Sequence, residues 1–179
     1  MFSIKDFTIT DLERINTINL DPFTETYGLH FYVQYMGGKL PYVFYKAEDP
    51  HGRLAGYLMG KIEGEGEKYH GHITAVTVAV DFRRQGVAKM LMNKFEQVCI
   101  ENECYFIDLY VRISNKVAVE MYTKMGYVVY QQIIEYYSGD DAEDAYDMHK
   151  ALPRDVERKS MIPKPRPVTC AEAFGNSEQ

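Results

Sequence analysis

Cysteine is scarce in this sequence: Cys99, Cys104 and Cys170 are the only three in 179 residues. None forms a CxxC pair and none stands at a metal-ligand spacing, so reduced thiols and no metal are expected. No run of about 18 apolar residues occurs, so no transmembrane helix is expected. Met1 to Thr10 lacks the basic-then-apolar order of a signal peptide. Basic residues are not in excess either. Twenty Lys and Arg against 26 Asp and Glu give a formal charge of −6, which argues against a nucleic-acid backbone as the main partner. These shortages point to a soluble, cytoplasmic protein with no membrane and no direct nucleic-acid partner. What is present is ordinary globular material, 46% hydrophobic and 26% charged. A chain of this length buries about 70% of its unfolded surface, so one domain can hold a core without disulfides.

Proline is sparse until the end of the chain, where Pro153, Pro163, Pro165 and Pro167 cluster. Proline removes a backbone donor and blocks helix continuation. A domain over residues 1–152 is therefore expected, then a C-terminal extension over 153–179. Within the extension a short helix is expected over Arg154–Met161, followed by an extended, proline-rich arm.

Inside the domain the periodicities alternate. Phe2–Phe7 reads as a strand. Thr10 with Glu13 offers a capping box for a helix through Asn19, and Gly28–Met36 reads as a second, aromatic-rich helix. Tyr42–Ala47, Leu54–Ile62 and Tyr69–Val80 read as successive strands between turn signals. Gly86–Ile100 carries apolar residues at helical spacing. Cys104–Val111 suits a buried strand, and Asn115–Met125 a helix stopped by Gly126. Tyr127–Tyr137 and Tyr146–Leu152 form a hairpin, with Asp140, Asp141, Glu143 and Asp144 in a solvated connecting loop. The order βααβββαβαββ predicts an α/β (α+β) fold, a mixed sheet with helices on it.

The feature with most chemistry is the junction of the strand ending at Val80 with Asp81-Phe82-Arg83-Arg84-Gln85-Gly86-Val87-Ala88. A strand–turn–helix junction presents unbonded N–H groups and the positive end of a helix dipole, which suits phosphate. Gly86 permits close backbone approach, Ala88 keeps the first turn open, and Arg83 and Arg84 add charge. A tight turn with two solvated arginines explains the same residues. The spacing is neither GxGxxG nor a Walker loop, which disfavours nicotinamide dinucleotides and nucleoside triphosphates.

Arg83-x-x-Gly86-x-Ala88 resembles the R/Q-x-x-G-x-G/A motif of the GNAT acetyltransferases. Asn115-x-x-Ala118-x-x-x-Tyr122-x-x-x-Gly126-Tyr127 resembles that family's second motif. The element order fits the GNAT fold. Leu20–Gly28, His70-Gly71-His72, Val111–Asn115, Glu135-Tyr136-Tyr137, Asp144–Met148 and Lys159–Pro163 are similar to N-terminal amine acetyltransferases of the NatB type. That resemblance implies acetyl transfer from acetyl-CoA, as cosubstrate, to the α-amine of nascent proteins beginning Met-Asp, Met-Glu, Met-Asn or Met-Gln. It also implies a heterodimer with a large helical-repeat auxiliary subunit, and ribosome association through that subunit. Phe31, Tyr32 and Tyr35, with the proline-rich arm, are candidate partner surfaces.

The resemblance implies a role for each candidate. The amides of Arg83, Arg84, Gln85, Gly86, Val87 and Ala88 bind the coenzyme pyrophosphate, and the backbone at Val76 and Val78 receives the pantetheine arm. Asn115 contacts the coenzyme, while as an N-cap it serves its own helix. Tyr122 faces the coenzyme sulfur and protonates the departing thiolate; otherwise it is core packing. Strand alternation places His72 and Thr74, then Val76 and Val78, on one face. By resemblance His72 lies near the second substrate residue, where a histidine donor reads carboxylates and amides; a structural histidine is the plainer reading. Tyr136 and Tyr137 point to opposite strand faces and close over the peptide. Glu25 binds the peptide backbone or amine, and Phe23 and Tyr27 wall a methionine pocket. Cys99 and Cys104 read as packing. An α-amine of pKa ~8 is partly neutral at pH 7, whereas a lysine of pKa ~10.4 is not, so only mild base assistance is needed. Two other readings stand: a GNAT enzyme acting on lysine side chains or small amines, and a non-catalytic acyl-CoA-binding scaffold.

Overall fold

The computed structural model describes residues 1–175 in two compact units, Met1–Cys104 and Tyr105 onward. The first unit contains an antiparallel meander of β1 (Ser3–Asp6), β2 (Tyr42–Glu48), β3 (Leu54–Glu63) and β4 (His70–Val78), in that order. A 3-10 helix (Ile9–Thr17) and helix α1 (Leu29–Tyr35) lie between β1 and β2; helix α2 (Val87–Glu101) follows β4. Side chains alternate across β3, and its two faces bury different partners. Tyr57 and Met59 join Phe7, Phe44, Tyr32 and Tyr35 in one core. Phe7 stacks on Phe44 at 3.9 Å. On the other face α2 buries Leu91, Met92, Phe95 and Cys99. The Phe95 ring lies so close over Gly60 and Gly71 that a Cβ at either would collide with it or with Cys99 Sγ.

The first helical segment starts earlier than expected and is 3-10 rather than α. Thr8, not Thr10, is its N-cap. The Asp11 carboxylate, not Glu13, accepts from Thr8 N at 2.9 Å. Asp11 is fixed there because it is buried and also bonds Lys46 and Arg14. The α1 aromatics do not form an exposed surface. Tyr32 and Tyr35 are buried, and Phe31 packs on Tyr27 and Tyr35. The exposed apolar residues of α1 are Leu29 and Val33.

The second unit contains β5 (Phe106–Arg112), α3 (Lys116–Lys124), β6 (Val128–Tyr137), β7 (Glu143–Ala151), β8 (Val168–Thr169) and α4 (Cys170–Phe174). Its strands lie in the order β5-β7-β6-β8, antiparallel except for the parallel β6–β8 pair. Gly126, at φ +95, follows the C-cap of α3 as expected.

Three expectations fail in this unit. The hairpin loop is shorter than the acidic cluster, because Glu143 and Asp144 belong to β7. Glu143 accepts from Ser114 Oγ (2.7 Å) and pairs with Arg112; Asp144 accepts from Glu135 N (2.9 Å) and Gln132 Nε2 (2.7 Å). These are ordered carboxylates, not solvated ones. No helix spans Arg154–Met161. Asp155 accepts from Lys159 N and Ser160 N, Arg158 sits at φ +54, and only a 3-10 turn over Lys159–Met161 follows. The arm after Pro163 is not simply extended. Val168–Thr169 pairs with Ile133–Ile134, and a reciprocal Thr169–Glu172 capping box starts α4. Two residues of strand and a capped turn are too short to show as periodicity.

Candidate active site

β4 sets the geometry of the first unit's half of the candidate residues. Met59 pairs with Ala75 but Gly60 with Ile73, so Thr74 is an extra, bulged residue. The bulge shifts the parity of the strand. Thr74 Oγ1 lies 2.7 Å from Tyr35 Oη, and Thr77 Oγ1 lies 3.4 Å from Thr24 Oγ1. Two residues three apart thus reach toward α1 and the segment before it, which a regular strand forbids. Val76 and Val78, which flank Thr77, therefore point away from that side. The expected shared face for His72, Thr74, Val76 and Val78 is broken. His72 is buried; Val76 and Val78 are half-buried.

β4 ends at Val78, two residues earlier than expected, and a 3-10 turn over Val80–Phe82 leads into the turn expected to bind phosphate. Arg84 is at φ +60, and Gly86, the N-cap of α2, is at φ +81. A Cβ added at Gly86 would meet nothing within 4 Å. The backbone there faces open space, which leaves room for a ligand to reach it. The α2 N–H groups of Val87, Ala88 and Lys89 have no carbonyl one turn earlier within the helix. Val87 is buried and anchors the turn, whereas Arg83, Arg84 and Gln85 are exposed. Gln85 Nε2 donates to Asp81 O at 3.0 Å. The turn's donors and the dipole of a 15-residue helix suit a diphosphate.

The segment between the 3-10 helix and α1 leans on the same strand. Tyr27 Oη donates to Thr74 O at 3.5 Å, and Tyr27 stacks on Phe31 at 4.4 Å. Tyr27 N donates to Tyr32 Oη at 3.1 Å. Phe23 and Glu25 are exposed. The structure thus brings Tyr27 to β4 at Thr74, and leaves Phe23 and Glu25 on the surface of the same loop.

In the second unit, Asn115 caps α3, its Oδ1 accepting from Ala118 N at 3.3 Å. Tyr122 is buried on α3, 6.0 Å from the Tyr127 ring. Burial pushes the Tyr122 phenol above its ordinary range, so the hydroxyl keeps its proton at working pH. Tyr136 and Tyr137 do not alternate as expected. Glu135 at φ +51 interrupts β6 between Ile133 and Tyr137, and the two rings meet edge to face at 5.0 Å. Tyr136 packs on Tyr110 (5.0 Å), and the Arg112 guanidinium covers Tyr137 at 4.0 Å.

Cys99 and Cys104 are buried. The hydrogen bond with Cys104 and burial both push the Cys99 thiol up, which suits packing and not nucleophilic chemistry. Sequence reasoning missed two groupings. Asp21 pairs with Arg83; an Asp opening a Pro-containing loop was the available signal. Strand register also gathers buried Asp108, Asp147 and His149, with ligand-type atoms within 4.8 Å of one another. An acid inside the apolar run Cys104–Val111 was the signal there.

Residues 12–127 match the family model "Acetyltransferase (GNAT) family". The chain belongs to that family, and the matched span contains both the Arg83–Ala88 turn and α3. Within the family it is similar along its length to catalytic subunits of N-terminal acetyltransferase B. It is 53% identical over 174 residues to N-alpha-acetyltransferase 20 of Dictyostelium discoideum, covering 97% of this chain and 99% of that one. It is 49% identical over 173 residues to the N-terminal acetyltransferase B complex catalytic subunit NAA20 of Arabidopsis thaliana, covering 96% and 98%. Among solved structures, Chaetomium thermophilum Naa20 in complex with a bisubstrate analogue superposes with a TM-score of 0.88 at 38% identity, covering 96% and 99%.

Proposed function

We propose that this acetyltransferase moves the acetyl group of acetyl-CoA to the α-amine of proteins beginning Met-Asp, Met-Glu, Met-Asn or Met-Gln. It works in the cytosol as the catalytic subunit of a NatB complex, paired with a helical-repeat auxiliary subunit that associates with the ribosome. One observation carries the reading: an open turn with Gly86 at φ +81 follows a strand bulged at Thr74, and the aromatic-lined loop at Tyr27 is bonded to that bulge. The full-length similarity to NatB catalytic subunits supports the specificity.

Acetyl-CoA supplies a thioester activated for direct attack by an amine. The amides around Gly86 hold its diphosphate, and the backbone of Val76 and Val78 aligns the pantetheine. Asn115 orders the start of α3. Tyr122, kept protonated by burial, delivers its proton to the departing thiolate. Tyr27, Phe23 and Glu25 hold the methionine end of the peptide, and Tyr136 and Tyr137 hold its backbone. His72 and Thr74 face the second residue.

The test is acetyl transfer from acetyl-CoA to a peptide panel varying the first two residues. Met-Asp and Met-Asn peptides are expected to lead Met-Leu peptides and internal lysines by at least tenfold in kcat/KM. A preference for lysine side chains would favour the small-amine reading, and binding of acetyl-CoA without transfer to any peptide the scaffold reading.

A further inference from the structure

Resting on the proposed function, the structure assigns Asp21 a positioning role: through Arg83 it ties the peptide-binding loop to the coenzyme turn, so that each ligand strengthens the other's binding. Asp21 uses both carboxylate oxygens. Oδ1 accepts from Phe23 N at 2.7 Å, and the Asp21 carbonyl accepts from Thr24 N at 3.0 Å, so Asp21 shapes the turn that presents Phe23. Oδ2 is ion-paired with Arg83 Nη2. Arg83 is itself placed from the end of β4, where its Nε donates to Val78 O at 3.3 Å, and from the 3-10 turn after it, where its backbone N donates to Val80 O at 3.3 Å.

Two further ties from this loop to β4 are neutral and long. Thr24 and Thr77 meet at 3.4 Å, and Tyr27 reaches Thr74 O at 3.5 Å. The charge-assisted contact is the stronger kind, and it lands on the first residue of the coenzyme turn. The pair is part-exposed, with side-chain exposures of 42% for Arg83 and 17% for Asp21. Exposed pairs of this kind add little to fold stability, so its consequence is local geometry. A guanidinium has five N–H donors. With one on Val78 O and one on Asp21, the rest remain for an anion held at the turn's amides. A diphosphate bound there bonds Arg83 from the side opposite Asp21 and immobilises the guanidinium, so that Asp21 meets a donor already fixed in place. The loop carrying Phe23 is then fixed before the peptide arrives. Linkage makes the effect reciprocal.

The experiment measures binding of a Met-Asp octapeptide to the full chain by calorimetry, with and without saturating CoA, and of CoA with and without peptide. In the unaltered chain each ligand is expected to tighten the other by about fivefold or more. Asp21→Asn keeps an oxygen for Phe23 N but removes the charge. It is expected to bring the coupling factor to about one. CoA affinity alone should shift less than threefold, and the melting temperature should not move. In turnover, peptide KM is expected to rise about three- to tenfold with kcat nearly unchanged, and Asp21→Glu should recover part of the loss. Equal weakening of peptide binding with and without CoA would make Asp21 a loop-turn residue only, and overturn the assignment. So would an unaltered chain that binds both ligands without coupling. Failure to acetylate any N-terminal peptide would instead strike the functional reading, since coupling is read from binding alone.

Discussion

His149 Nδ1 lies 2.8 Å from the carbonyl oxygen of Ser160, so a ring nitrogen on β7 fastens the start of the C-terminal arm. A carbonyl only accepts, which places a proton on Nδ1. Nε2 faces Asp147 Oδ1 at 3.0 Å, and the ring stacks on Phe106 (4.7 Å) and Tyr130 (4.0 Å). Asp155 secures the same arm through Ser160 N and Oγ. Removing the imidazole takes the donor from Ser160 O and empties the space between the Phe106 and Tyr130 rings, which costs about 1–3 kcal/mol. His149→Ala is therefore expected to lower stability by that amount in urea titrations and to speed tryptic cleavage at Arg158 and Lys159. Unchanged cleavage would mean that the arm is held by Asp155 alone.

A second expectation concerns acid. Glu48 bonds Lys5, and against the cost of burial Arg14 and Lys46 help hold its carboxyl down at about 2. Burial works to raise Asp11, yet bonds from Lys46 and Thr8 outweigh it and bring that carboxyl to about 2 as well. In the unfolded chain both titrate near 4. A depressed folded pKa adds stability that is complete above the unfolded value and is lost as pH falls through the folded one. Melting temperature is expected to fall between about pH 5 and pH 2, and Asp11→Asn should flatten that slope while destabilising the fold at pH 7. An unchanged slope in Asp11→Asn would remove Asp11 from the account.

The turn at Gly86 gives the third expectation. Space at Gly86 is open, but φ +81 strains any residue with a Cβ. A glutamate there adds strain, bulk and negative charge where the proposed function puts a diphosphate against backbone amides. Gly86→Glu should abolish acetyl-CoA binding by calorimetry while the far-ultraviolet circular dichroism stays native. Retained coenzyme affinity would exclude this turn as the phosphate site.

What the sequence disclosed follows a physical line. Long periodic segments such as α2, and the strand–turn–helix at Arg83–Ala88, were legible because the pattern repeats or the residues are special. Thr74, Glu135 and Asp155 were not. Bulges, an interrupted strand and a side-chain-closed turn depend on pairing with distant partners, here Met59–Gly60 and Asp144, or on a carboxylate that bonds the backbone instead of facing water. The roles of His72, Tyr122 and Tyr136 came from family resemblance, since a buried aromatic or histidine looks the same whether it packs or reacts.

Specificity is where the proposed mechanism is most exposed. His72 is buried on β4, next to the strand's bulge. If it donates to the second substrate residue, its loss removes a charge-assisted hydrogen bond of roughly 1.5–3 kcal/mol with Asp or Glu. That is about tenfold to a hundredfold in kcat/KM. The loss must be selective: His72→Ala should cripple Met-Asp and Met-Asn peptides and narrow their lead over Met-Leu. His72→Gln, which keeps a donor, should recover part of the Met-Asp rate and guards against a mere folding defect. Tyr122→Phe should slow all three peptides by a similar factor, because the departing thiolate is common to them. With the Tyr122 phenol raised by burial, the unaltered enzyme should show a rate that rises through the α-amine pKa of ~8 and no falling limb below about pH 10. Steady-state kinetics on the three peptides across pH decide between the assignments. If His72→Ala lowers all three equally, His72 shapes the strand and does not read the substrate.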